Sequence, residues 1–427
     1  MKKEQIIQYF ENGIKNIKDF KVGIEHEKFL FNKNKRADYK TMLKMFDALS
    51  EFGWKPIMEK QNIIGLQKKG KSITLEPGNQ IELSGDKLNN IHEACSESHD
   101  YLFELQLVTK KLGLKIVSAG FDPISTLSEV PNNPKQRYKV MTKDMPKGGS
   151  LSLDMMYRTC GTQLNLDYDS EKDFVKKFKI INSIVPISIA LFANSSIVEK
   201  KNSGYMSYRS KVWQETSRGG LPEIFFDNMN FEKYADFAIN FPLLFIRNGN
   251  DYISGKKYKF SDFMNGKIKE INNRLPIEND LTTHLSTIFT ENRLKQYIEL
   301  RSMDTCGWDC LCAGPAFNTG ILYGNLDETY ELISKWDKNK IINAYLEAPK
   351  KGFNTELMGK NLLHWSSLLL NLSKKGLENR DVLNKSNDNE AKFLNHLEKL
   401  INNKTTNADR MIGKFSKNEN LNELYDK

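Results

Sequence analysis

The sequence predicts an α+β fold, on three observations. Several short segments alternate polar and apolar residues, the period of a half-buried strand. Longer segments repeat apolar residues every three or four positions, the period of an amphipathic helix. The two kinds mix without a regular strand–helix–strand rhythm, which argues against a doubly wound parallel sheet.

Taken in order, residues 1–19 predict a helix with Ile6, Phe10, Ile14 and Ile17 on one face. Residues 21–32 alternate as a strand, and 39–52 read as a helix. Two short strands follow at 72–76 and 80–83, joined by the turn signal Pro77-Gly78-Asn79. A long helix is expected over 87–112 and a strand over 115–119. The stretch 122–149, dense in Pro, Asn and Lys, reads as a loop. Residues 162–168 alternate as a strand, 171–193 read as helical, and 200–221 read as loop carrying Gly and Arg. A further strand is expected at 297–301. No repeat or low-complexity linker divides the 427 residues, so one catalytic domain is expected over 1–427. Within it, 326–427 is a mainly helical C-terminal part ending in a polar tail.

Composition narrows the function classes. Hydrophobic residues make up 39% and charged residues 27%, which is globular rather than disordered. The net charge of +9 admits a nucleic-acid or anionic-membrane partner. The lysines are scattered rather than gathered in a stripe, which favours an ordinary solvated surface. The longest apolar run, 184–193, is interrupted by Pro186 and Ser188 and falls short of the roughly 20 residues of a membrane span. The N-terminal residues lack an apolar signal core. Five cysteines (Cys95, Cys160, Cys306, Cys310, Cys312) are too few and too odd for a disulfide framework. Cys306-x3-Cys310-x-Cys312 is metal-like in spacing but lacks a second ligand pair nearby. A cytoplasmic setting with no nucleic-acid or membrane partner is expected.

One motif misleads. Gly65-Leu66-Gln67-Lys68-Lys69-Gly70-Lys71-Ser72 fits the phosphate-binding loop pattern G-x-x-x-x-G-K-S. That loop works by handing its phosphate to the N-terminus of a following helix. Here the next residues are Ile73-Thr74-Leu75-Glu76-Pro77-Gly78, a strand running into a turn. The motif is read as a chance match.

The residues that carry chemistry lie on four strand-like segments. Glu25 and Glu27, two apart, share a face. Glu76 and Glu82 sit on the hairpin. Gln163, Asn165 and Asp167 alternate, and Glu299 and Arg301 alternate with Arg293 upstream. One such pair would be a solvated face. Four, packed as one sheet, would make a field of carboxylates. Like charges that close repel unless cations separate them. Magnesium, a hard cation that takes oxygen ligands and travels with nucleotide phosphates, answers that need. Arg293 and Arg301 would then neutralise a transferring phosphoryl group. Arg158 and Arg209 suit a bidentate grip on a substrate carboxylate.

The motifs also resemble a known family. They are VGIEHEKF at 22–29, NIIGL at 62–66, ITLEPGNQIELSG at 73–85 and MPKGGSLSLDMMYRTCGTQLNLD at 145–167. ALFANS at 190–195, YMSYRSKVW at 205–213 and HLSTIFTENRLKQYIELR at 284–301, with Asp304, follow in order. This resembles the glutamate–cysteine ligases of the plant and alphaproteobacterial type. The resemblance implies a glutamine-synthetase-like fold, in which a curved, mainly antiparallel sheet forms a funnel with ATP at one end and amino acids at the other. It implies joining of the glutamate γ-carboxylate to the cysteine amine through γ-glutamyl phosphate, the first step towards glutathione. A related ligase using another amine is the alternative.

The resemblance also assigns roles. Glu25, Glu27, Glu76, Glu82 and Glu299 would hold Mg²⁺. Gln163 and Asn165 would line the floor near the nucleotide, and Arg293 and Arg301 would face the phosphates of ATP as the catalytic arginines. Arg209, Met156, Arg158 and Trp213 would form the amino-acid pocket. The regulatory cysteine pair of plant members falls on Gly255 and Glu270, so that switch is expected to be missing. A second pair falls on Cys95 and Cys312, expected here to be buried and reduced. The partners implied are glutamate, cysteine and ATP, acting on a monomer or weak homodimer. The absence of a transit segment before the first helix suggests a bacterial cytoplasmic enzyme.

Overall fold

The computed structural model describes every residue except 250, 419 and 427, and omits the side chains of 416–418. Its centre is a ten-stranded sheet, antiparallel throughout. From one edge the strands run Asn292–Leu294, Ile298–Asp304, Gly161–Leu166, Val22–Asn32, Ile81–Ser84, Lys71–Leu75, Asn62–Lys68 and Lys55–Glu59. The central strand, Val22–Asn32, is long enough to serve two neighbourhoods. Its first half pairs with Ile81–Ser84 and Gly161–Leu166, and its second half with Leu114–Val117 and Lys35–Arg36. Register shifts at Leu300/Met303 and Ile57/Met58 bend the sheet, which stays open and curved. The α+β expectation is met.

Alternation along the strands fixes which face does what. Ile24, Leu164 and Leu300 lie side by side and are buried, as are Leu83 and Ile73. Helices cover this apolar face. Glu171–Ser183, Val185–Leu191, Ala313–Thr319 and Leu362–Arg380 pack with Ile24, Leu164, Leu166 and Leu300 in the larger core. Tyr39–Ser50 and Ile91–Leu112 pack with Ile73, Leu75, Ile81 and Leu83 in a second. No helix among the described residues is long and apolar enough to cross a membrane.

Several boundaries differ from the sequence reading, each for a local reason. The first helix ends at Glu11, and Ile17 is exposed. Gly13 stops it: a Cβ there would fall 2.6 Å from the Gln296 carbonyl oxygen. The helix expected over 171–193 is two helices, because Pro186 starts a new first turn. The expected loop 122–149 contains the helix Gln136–Asp144, and the expected loop 200–221 contains the helix Tyr208–Gln214. The latter is short, and its Ser207 cap is its clearest local signal. The part after 325 is mainly helical, apart from a hairpin at Glu356–Leu357 and Lys360–Asn361. Its polar tail does not hang free: Leu424 and Tyr425 are buried, and Asp426 accepts from the Ser118 hydroxyl at 2.5 Å. Residues 419 and 427 lie outside the described residues.

The phosphate-loop match proves to be a β-hairpin. Gly65 lies within the strand Asn62–Lys68, Lys69 turns with φ 55°, and Lys71 opens the next strand opposite Lys68. No helix N-terminus follows. Lys71 instead pairs with Glu97 at 3.6 Å and lies 5.8 Å from the Trp54 ring centre. Lys71→Ala should therefore cost at most about 1 kcal/mol of stability. It should leave the KM for ATP within about twofold; a collapse of ATP use would restore the phosphate-loop reading.

The cysteine expectation needs correction. Cys95 is bonded to Cys312, with Cα atoms 5.7 Å apart, and Cys306 to Cys310. Cys160 alone is free, and it is buried. Gly255 follows the strand Asp251–Ser254, and the Glu270 carboxylate accepts from Tyr258 at 2.9 Å, so neither position offers a thiol.

Candidate active site

Strand register brings the polar residues onto the face opposite the helices. Glu27 lies across from Glu82, and Glu82 from Thr74. Glu25 lies across from Ser84 on one side and Gln163 on the other. Asn165 lies across from Glu299, and Glu299 from Arg293. Cross-strand partners share a face, so these residues form one continuous polar surface.

That surface has two electrostatically different ends. At one end sit Glu25, Glu27, Glu76 and Glu82. Among the described residues none of the four has a cationic partner within 4 Å. Each accepts from one neutral donor. Asn165 donates to Glu25 at 2.7 Å, the Gly161 N–H to Glu27 at 2.7 Å, the Thr74 hydroxyl to Glu82 at 2.9 Å and the Tyr138 hydroxyl to Glu76 at 3.1 Å. Burial and the neighbouring Glu76 push the Glu27 carboxyl up to about 7. Burial, with Glu76, Glu25 and Glu27, raises Glu82 well above the usual carboxylate range. A cluster of oxygen donors that repel one another and lack a counter-cation fits a hard divalent ion such as Mg²⁺.

The other end is cationic. Glu299 is buried, and burial alone would raise its carboxyl; Arg293, Lys295 and Arg301 overcome that and hold it well below the usual range. Arg293 contacts it directly, and Lys295 and Arg301 lie at 3.5 Å. The fold brings Glu299 to the same face as the other glutamates, but its charge is already compensated. Three cations surround it, whereas the other four carboxylates have none within 4 Å among the described residues.

Between these ends lies a cavity lined by Glu27, Glu76, Gln163, Met156, Arg209 and Arg301, among others. Arg301 reaches Gln163 and stacks 5.3 Å from the Trp213 ring centre; Arg209 stacks on the same ring at 4.9 Å. Both guanidiniums are buried and keep unpartnered N–H groups: Nε of Arg301, and Nε and Nη1 of Arg209. Buried donors without partners are costly. Here they point to anionic oxygens as their intended partners. Gly161 makes room, since a Cβ there would lie 2.9 Å from the Arg209 guanidinium.

Arg209 is held by a second layer. Its Nη2 donates to the Arg301 carbonyl at 2.7 Å. Asp304 accepts from the hydroxyls of Ser195 and Ser207 at 2.6 and 2.9 Å, fixing the start of the helix that carries Arg209 and Trp213.

Of the expected site residues, Arg158 goes elsewhere. Its guanidinium pairs with Asp154 at 2.8 Å and Glu199 at 3.1 Å and stacks on Phe121 at 4.5 Å. On the helix Ser152–Arg158 it stands two residues from Met156 and so faces another way; Met156 lines the cavity and Arg158 does not, although two of its N–H groups also lack partners. Arg158→Ala should thus lower stability by about 1–3 kcal/mol through loss of a buried ion pair. It should move the KM for glutamate by less than about threefold; thermal denaturation and initial rates check the two halves.

The sequence reading missed several neighbours. Lys135 donates to the Leu75 carbonyl at 2.7 Å, and burial together with Arg137 pushes its ammonium down to about 8. Arg137 donates to the Tyr138 hydroxyl at 3.1 Å, which in turn meets Glu76. Glu291, buried beneath Arg209 and Arg301, accepts from Tyr345 at 3.0 Å; burial raises its carboxyl and the two arginines oppose the rise. Lys295 had a usable signal, standing two residues from Arg293. Lys135 and Arg137 sit among Pro131, Asn132, Asn133 and Pro134, which hide them as loop.

Comparison with known proteins agrees with this geometry. The model of glutamate–cysteine ligase family 2 (GCS2) matches residues 21–427. The glutamate–cysteine ligase of Nicotiana tabacum is 38% identical over 418 residues, spanning 96% of this chain and 79% of that protein. That of Arabidopsis thaliana is 37% identical over 422 residues, spanning 97% and 80%. Ligase B of Oryza sativa subsp. japonica is 38% identical over 421 residues, spanning 97% and 84%. All three are chloroplastic, which overturns the cytoplasmic setting expected from the sequence. In fold, the chain matches the crystal structure of the Francisella tularensis glutamate–cysteine ligase in complex with AMP. The TM-score is 0.54 at 14% identity, covering 95% of this chain and 86% of that one. The chain belongs to glutamate–cysteine ligase family 2, and is an ATP-dependent ligase that forms the C–N bond of γ-glutamylcysteine.

Proposed function

We propose that the four bare glutamates bind Mg²⁺ with the ATP phosphates, and that the buried guanidiniums of Arg209 and Arg301 receive the substrate's anionic groups. The observation that carries this is the juxtaposition of uncompensated carboxylates with two buried arginines whose N–H groups lack partners. When bound, Mg²⁺ supplies positive charge against the phosphate oxygens. Glu25, Glu27, Glu76 and Glu82 would hold it. Arg301 faces the transferring phosphoryl group; Arg293, whose guanidinium donates to Glu299 and to the Ser286 and Ile288 carbonyls, adds its charge from behind Glu299, while Gln163 and Asn165 fill the floor. Arg209 takes the glutamate α-carboxylate. Met156 and Trp213 form the apolar wall beside it. The chain works as one catalytic unit, as a monomer or weak homodimer.

The reaction then needs only placement and charge compensation. A γ-carboxylate oxygen of glutamate attacks the γ-phosphorus, and the bond to ADP breaks. The cysteine amine attacks the acyl carbon, loses a proton, and phosphate leaves. The test uses glutamate labelled with ¹⁸O in its γ-carboxylate, incubated with ATP, Mg²⁺ and cysteine. One label per turnover should appear in phosphate, and the product should carry the mass of γ-glutamylcysteine. Release of unlabelled phosphate, or release that does not depend on cysteine, would overturn the proposal.

A further inference from the structure

We propose that Cys95, His99 and Cys312 form a binding site for a soft divalent metal, zinc in class, when the disulfide between the two cysteines is reduced. This site lies apart from the magnesium carboxylates. Its three ligand atoms all lie within 4.8 Å of one another.

The Cys95–His99 pair already has the spacing of tetrahedral coordination, whereas the two sulfurs, bonded to each other in the oxidised chain, must separate to roughly 3.7 Å once reduced. Cys95 and His99 are four apart on the helix Ile91–Leu112, so their side chains share a face. Cys312 approaches from the segment that leads into the helix Ala313–Thr319. Metal bonds of about 2.3 Å to sulfur and about 2.0 Å to nitrogen place those two ligand atoms roughly 3.5 Å apart. The Cys95 Sγ lies 3.7 Å from the His99 Nδ1.

The histidine is already oriented. Its Nε2 lies 3.4 Å from the Trp308 carbonyl oxygen, and its ring lies against the Trp308 ring at 4.3 Å. A neutral imidazole with its proton on Nε2 donates to that carbonyl and leaves the Nδ1 lone pair facing the sulfur. This is the second-layer arrangement usual for metal-binding histidines. Cys95 and Cys312 are buried and His99 is half-buried, so the open side is the histidine's. Three protein ligands leave a fourth position for water.

The chemistry balances. A dithiol or phosphine supplies two electrons and the disulfide becomes two thiols, the reductant being oxidised in turn. The metal displaces both thiol protons and binds two thiolates. Either form, disulfide or metal, ties the helix Ile91–Leu112 to the chain that follows the Arg301 strand. The tie therefore persists across redox conditions.

The test uses the full chain, reduced with a phosphine, freed of reductant without air, and titrated with Co²⁺. Sulfur-to-cobalt charge-transfer absorption and strong visible bands should saturate at one ion per chain, and Zn²⁺ should bleach them. Oxygen ligands such as the glutamate cluster give only weak absorption and do not mimic this signal. The oxidised chain should show no such bands. Cys95→Ser should abolish charge transfer from the pair, His99→Ala should weaken Co²⁺ binding at least about tenfold, and the Cys306→Ser/Cys310→Ser double variant should retain the full signal. No charge-transfer band in the reduced chain overturns the proposal. Unchanged affinity in His99→Ala, or loss of the signal in the Cys306/Cys310 variant, overturns the ligand set.

Discussion

Glu27→Gln should lower kcat on the order of 10²- to 10³-fold, the scale of removing one electrostatic element from a preorganised site, while leaving the metal-free fold as stable as before or more so. The two halves have one cause. Glu27 sits opposite Glu82 and near Glu76, with no cationic partner within 4 Å among the described residues, so its charge opposes folding until an ion arrives. Glutamine keeps the shape and can still accept from the Gly161 N–H, but supplies no charge. A structural carboxylate would behave the other way, since its loss would lower the melting temperature. Near-wild-type turnover in Glu27→Gln would remove the proposed metal site.

The same carboxyl sets a pH dependence whose sign can be worked out. Its value in the metal-free protein is raised from 4.5 to about 7. Between those values the folded chain holds a proton that the unfolded chain has released. Stability of the metal-free protein therefore falls as pH rises through that window. Mg²⁺ needs the deprotonated form, so the ion competes with that proton. The rise in melting temperature on adding Mg²⁺ should be larger at pH 8 than at pH 6, and that difference should shrink in Glu27→Gln, with Glu82, whose carboxyl is also raised, supplying what remains. An equal rise at both pH values in the parent protein would contradict the assignment.

How much of this was legible in the sequence depends on whether the signal is local. Glu25 and Glu27 were readable because strand alternation is a two-residue rule, and the structure puts both on the polar face. The hairpin carrying Glu76 and Glu82 was readable from Pro77-Gly78-Asn79; Asn79 turns with φ 58°. The phosphate-loop decoy was rejected by the same local logic. What failed was non-local. Arg158 is two residues from Met156 on a helix the sequence reading did not assign, so it faces another way; its i,i+4 partner Asp154 follows from that helix, but Glu199 does not follow from any spacing. Arg293 and Arg301 were readable beside Glu299, but that they and Lys295 together hold its carboxyl below the usual range depends on how the strand pair brings them together, which the sequence does not show. Helix Gln136–Asp144 was hidden by flanking prolines and asparagines, and with it Tyr138 and its contact to Glu76.

Arg301→Lys should also be severe, with kcat lowered roughly 10²- to 10³-fold despite the retained charge. The reason lies in what a guanidinium does here that an ammonium cannot. Arg301 reaches Gln163, lies 3.5 Å from Glu299, and sits over the Trp213 ring at 5.3 Å from its centre, all with one rigid guanidinium. Its Nε remains free for an anionic oxygen. A lysine ammonium is a point charge on a flexible stem, more strongly hydrated and unable to stack while donating in two directions. The backbone should not mind the exchange, because the Arg301 N–H bond to the Glu291 carbonyl at 2.9 Å and the Arg209 bond to the Arg301 carbonyl do not involve the side chain. The expected signature is thus a fall in kcat with the KM for glutamate changed far less, since Arg209 is undisturbed. If Arg301→Lys instead raises the KM for glutamate and spares kcat, the two arginines have exchanged roles: Arg301 holds the amino acid and Arg209 the phosphoryl group.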